Sequence, residues 1–74
     1  MHSHYLLFAH PCSYIFTLKE QGQEWTREFT SVFDAVAYAA TLPDSESATL
    51  AVFNASGNKL VELRVHDQVL PVGG

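Results

Sequence analysis

Residues 30–42, TSVFDAVAYAATL, decide how this chain is read. They carry its one strong helical signature. Thr30 or Ser31 can cap the first turn by accepting a hydrogen bond from a backbone N–H that has no partner inside the helix. Asp34 sits three residues after Ser31, where its charge suits the positive end of the helix dipole. Val32, Phe33, Val36, Ala39 and Ala40 recur at helical spacing and are expected to form the apolar face. Asp34, Tyr38 and Thr41 are expected on the opposite side. Pro43 ends the helix, because a residue before proline avoids helical backbone angles. Alanines 35, 37, 39 and 40 allow close approach to a flat surface, such as a sheet.

Working outward, residues 13–19, SYIFTLK, alternate as a strand. Tyr14, Phe16 and Leu18 fall on one face, and Ile15, Thr17 and Lys19 on the other. Residues 20–23 form a turn around Gly22. Residues 24–29, EWTREF, return with Trp25, Arg27 and Phe29 on the core side. Arg27 there lays its stem on apolar surface and sends its head to the edge, while Trp25 closes one end of the core. After the helix, residues 43–47 are a polar loop. Residues 48–54, ATLAVFN, have few polar side chains and read as a central strand. Residues 54–58 turn at Gly57, with a left-handed backbone. Residues 59–65, KLVELRV, alternate with Val61, Leu63 and Val65 inward and Leu60, Glu62 and Arg64 outward; His66 continues the outward series.

The expected fold is therefore α+β: a four-stranded antiparallel sheet in ββαββ order, with one helix packed on one face. Residues 14–66 form the domain. Residues 1–13 are read as a partly disordered N-terminal arm, and residues 67–74 as a C-terminal tail. The arm, MHSHYLLFAHPCS, holds His2, His4, His10 and Cys12, all of a type that binds zinc, copper or nickel. A closed zinc site would need all four to converge, and their spacing fits no established site. The plain reading is that the apolar YLLFA packs on the domain or on a second copy.

Composition excludes several functions. Seventy-four residues make one small domain with a modest core. Cys12 is the sole cysteine, so no internal disulfide supports it, and a lone cysteine fits a reducing compartment. The net charge is −4, and the four basic residues are scattered, which argues against nucleic acid as a partner. No apolar run is long enough to span a membrane, and none has the basic start of a signal peptide, so a cytoplasmic protein is expected. No nucleophile–base set, phosphate loop or paired carboxylate points to an enzyme, and no cofactor is implied. Asp34, Asp44, Glu46 and Asp67 fall in caps, loops or the tail.

The residues 25–40, WTREFTSVFDAVAYAA, and 50–63, LAVFNASGNKLVEL, resemble a class of small bacterial ββαββ domains of unknown function. That class shares a tryptophan in the second strand, a Ser/Phe lead into an alanine-rich helix, and an Asn/Asp-x-x-Gly turn before the last strand. The resemblance implies a fold and supplies no active site. The terminal Gly73-Gly74 resembles the end of ubiquitin-like proteins and of bacterial sulfur carriers. That resemblance implies activation of the Gly74 carboxylate as an acyl-adenylate, with Gly73 as its slender neighbour.

The leading expectation is a protein-interaction module. One helix covers one sheet face, and the other face meets water, a protein partner or a second copy. That face would carry Ile15, Thr17, Lys19, Glu24, Thr26, Glu28, Leu60, Glu62 and Arg64. Either Ala51 and Phe53 or Leu50 and Val52 would join them. Ile15, Thr17, Thr26, Leu60, Glu62 and Arg64 are the partner-binding candidates, and an edge strand offers a second route.

Overall fold

The structure is a computed structural model that describes residues 3–43 and 45–66. Its elements are β1 (His4–Ala9), β2 (Phe16–Glu20), β3 (Thr26–Phe29), α1 (Val32–Ala40), β4 (Thr49–Phe53) and β5 (Lys59–Arg64). The sheet has five strands in the order β3-β2-β1-β4-β5. All neighbours are antiparallel except β1 and β4, which run parallel.

This corrects the four-stranded antiparallel expectation. The YLLFA run read as part of an arm is the middle strand of a mixed sheet. The physical reason is that it is apolar on both faces. Tyr5 and Leu7 are buried on the helix side, while Leu6 and Phe8 lie half-buried on the other. A strand flanked on both sides needs this pattern, and it lacks the polar alternation of a half-exposed strand. The domain thus begins no later than β1, ten residues ahead of the boundary at residue 14. The tail at residues 67–74, with Gly73 and Gly74, lies outside the described residues, as does His2.

The helix begins where the cap chemistry put it. Ser31 has an extended backbone, and its Oγ accepts the Asp34 N–H at 3.0 Å. It ends at Thr41, whose hydroxyl and N–H both donate to the Tyr38 carbonyl. The buried face runs through Ala35 and Ala39, flanked by Val32, Val36 and Ala40. Two residues depart from expectation. Phe33 is 85% exposed. Tyr38 faces inward and packs beside Phe29 and Trp25, with ring centroids 5.6 and 6.3 Å away. A large ring in the last turn of the helix reaches Phe29 of β3 and Trp25 just before it, and this goes with a buried face turned away from Phe33.

The crossover explains which strands the helix covers. Pairings make β3 parallel to β4, with β2 and β1 between them. The chain leaves the edge strand β3 and must pass over β2 and β1 to reach β4. The helix accordingly contacts β1, β2 and β3. Tyr5, Leu7, Leu18 and Leu50 are the largest fully buried side chains beneath it. Trp25 is partly buried against this cluster and 6.5 Å from the Tyr5 ring, closing one end as expected. The Arg27 guanidinium lies 5.0 Å from the Tyr38 ring centroid, a cation–π contact at the core edge. Gly22 and Gly57 take the left-handed turn positions, at φ 87° and 89°.

Ser45 makes a tie that no local pattern announces. It is buried in a loop read as solvated, and its Oγ donates to the Ala40 carbonyl at 3.2 Å. Its hydroxyl carries one hydrogen, so the 2.9 Å contact to His66 Nε2 has the imidazole as donor. The pair links the end of the helix to the end of β5.

Candidate functional site: the open face of the sheet

The face away from the helix is assembled row by row from the strand register. One row reads Glu28, Thr17, Phe8, Phe53, Lys59 across the five strands. The next reads Thr26, Lys19, Leu6, Ala51, Glu62. A third begins at His4 and continues through Thr49 to Arg64. The register thus resolves the alternative for the fourth strand: Ala51 and Phe53 lie on this face, and Leu50 and Val52 face the core.

The centre of the face is apolar and the flanks are charged. Phe8 and Phe53 stack with centroids 4.9 Å apart and planes inclined by 20°. Parallel pairing of β1 with β4 puts these rings at one level, where stacking adds to their buried area. Leu6 and Ala51 extend the strip by one row. A shallow depression of about 190 Å³ lies over it, lined in part by Leu6, Ala51, Phe53, Lys59 and Glu62.

On the β5 flank, the register slips between Val52 and Phe53, and Lys59 rather than Leu60 pairs with Phe53. This bulge brings Lys59 to the side of Glu62, which plain alternation would forbid three residues apart. Lys59 Nζ donates to Glu62 Oε1 at 2.8 Å. That hydrogen bond, and then the Lys59 charge, holds the Glu62 carboxyl below its ordinary pKa. Leu60 stands at the bulge, 63% exposed.

The partner-binding candidates are therefore split. Thr17 and Thr26 lie on the β2–β3 side, and Ile15 directly precedes β2. Glu62 and Arg64 lie on the β5 side with Leu60 nearby. Between the two groups stand β1 and β4, whose Leu6 and Phe8 were missed because their segment was read as an arm. The signal was present: residues 5–9 are apolar at every position, much as residues 48–54, read as a central strand, carry few polar side chains.

The metal candidates among the described residues, His4, His10 and Cys12, do not come together. His4 and His10 lie at opposite ends of β1, roughly 20 Å apart at about 3.3 Å per residue. Each bonds a threonine instead: His4 Nδ1 meets Thr49 Oγ1 at 2.9 Å, and His10 Nε2 meets Thr17 Oγ1. Cys12 is exposed in the following loop, at φ 63°. Extended β1 holds the two histidines too far apart for one ion, and no other group of three or more metal-binding side chains is gathered among the described residues. No helix among them is long and apolar enough to cross a membrane.

Comparison with protein-family models, with curated proteins and with solved structures found no match.

Proposed function

We propose that this chain is a protein-interaction module of the cytoplasm, without catalysis of its own, that docks through the open sheet face. The observation behind this reading is the stacked Phe8–Phe53 pair on the side of the sheet that the helix does not cover. An apolar centre with a charged rim is the anatomy of a protein interface. The net charge of −4 disfavours nucleic acid as the occupant.

The test is a Phe53→Lys variant compared with the wild-type chain as bait in a cell extract. Proteins held by the wild type should be lost from the variant, with its circular dichroism unchanged. An identical retained set from a folded variant would refute the open face as the docking surface.

A further inference from the structure

We infer that the C-terminal segment Val69-Leu70-Pro71-Val72 of this same chain docks in a groove between α1 and β5, on the helix side of the sheet. The groove is separate from the open face, and its occupant is covalently attached to it.

The helix lies over β3, β2 and β1, and β5 stands two strands, roughly 10 Å, beyond β1. The register puts Val61 and Leu63 of β5 on the helix side. Val61 is 49% exposed there, and Leu63 is half-buried. These two residues form the floor. The wall is a flank of the helix. Tyr38 directs one flank toward Phe29 and Trp25. At about 100° per residue, Val32, Val36 and Ala40 fall on the other flank, toward β4 and β5. All three are half-buried. Floor and wall are both apolar, and both are incompletely covered.

Exit point, length and pattern select the occupant. The chain turns at Val65 and His66, directly after β5. His66 bonds Ser45, which also donates to the Ala40 carbonyl, so the chain departs at the Ala40 end of the groove. Asp67 and Gln68 complete the reversal. Residues 69–72 then span roughly 13 Å when extended, as do the four steps from Val65 back to Val61. The helix wall from Val32 to Ala40 rises roughly 12 Å. The segment is apolar at four consecutive positions. Its side chains alternate, so Val69 and Pro71 meet one apolar surface while Leu70 and Val72 meet the other. Pro71 lacks an N–H, which costs nothing in a segment packed above the sheet instead of paired within it. The short link holds the segment at an effective concentration on the order of millimolar, which a free partner has to exceed.

The experiment is nuclear Overhauser spectroscopy on the full chain with labelled methyl groups. Cross-peaks are expected from Leu70 and Val72 to Val36, Val61 and Leu63. Leu70→Asp, also in the full chain, should abolish them. It should shift the amides of Val36, Val61 and Leu63, and leave those of Leu6 and Phe8 on the open face in place. Two results would overturn the inference. One is a wild type without cross-peaks from the segment to the groove, together with a Leu70→Asp variant that differs from it only within residues 67–74. The other is cross-peaks that run between chains in a mixture of labelled and unlabelled protein, which would give the groove to the segment of a second copy. Neither result bears on the open face, whose test with Phe53→Lys stands by itself.

Discussion

Leu7 and Val52 sit opposite one another across the parallel β1–β4 pair, both buried on the helix side. One residue further on, Phe8 and Phe53 repeat the pairing on the open side. The same two strands therefore build the core on one face and the candidate interface on the other. The centre of the candidate interface is thus supplied by the strands that also supply the core.

Leu7 is completely buried in the middle strand. Leu7→Ala should cost about 2–5 kcal/mol, from lost transfer energy and the cavity left behind. A domain of this size has little margin. Urea denaturation should show a largely unfolded variant. A loss below about 1 kcal/mol would contradict the placement of residues 4–9 inside the sheet.

The rotation of the helix face is open to a paired test. Phe33→Ser removes an exposed ring and should change stability by no more than about 0.5 kcal/mol. Ala39→Leu forces a large side chain between helix and sheet and should cost about 1–3 kcal/mol. The reverse ranking in thermal melts would mean that Phe33 faces the core.

Ser45→Ala removes the donor to the Ala40 carbonyl and the acceptor for His66 in one step. The expected loss is about 1–3 kcal/mol, since a part-buried carbonyl is left with a weaker complement of partners. The His66 ring resonances should shift in the same variant. Unchanged stability and an unchanged His66 spectrum would show that the tie is absent in solution.

Glu62 offers a pH readout. Its folded pKa is lowered by Lys59, so the contribution of the pair is present above the ordinary glutamate value and is lost as pH falls through the lowered one. Both groups are exposed, and the effect on stability is small. The spectroscopic effect is clear. Carboxyl titration by NMR should place Glu62 below ordinary glutamate, and Lys59→Met should bring its midpoint back up. A midpoint that ignores Lys59→Met would mean that the bulge does not join the two side chains.

Much of the helix and both glycine turns could be read locally. Ser31 announces its cap through a small polar side chain ahead of an apolar stripe, and Gly22 and Gly57 mark backbone that other residues adopt at a cost. The middle strand could not be read this way. Residues 5–9 are apolar throughout, so alternation is silent, and the neighbouring histidines and Pro11 suggested an irregular arm. Its partner β4 lies some 45 positions away, as in the His4–Thr49 bond, and parallel pairing at that distance leaves no turn signal. The candidate site inherited this gap. Thr17, Thr26, Glu62 and Arg64 were visible as outward positions of alternating strands. Leu6 and Phe8 became candidate interface residues only once β1 was placed between β2 and β4.

The most direct measurement is the amide NMR spectrum of the labelled full chain before and after addition of the proteins that the wild-type chain retains from a cell extract. The account predicts saturable shifts at Leu6, Phe8, Ala51 and Phe53, with the exposed helix positions Phe33 and Ala37 unmoved. Shifts confined to the helix side, or none on addition of those proteins, would contradict it.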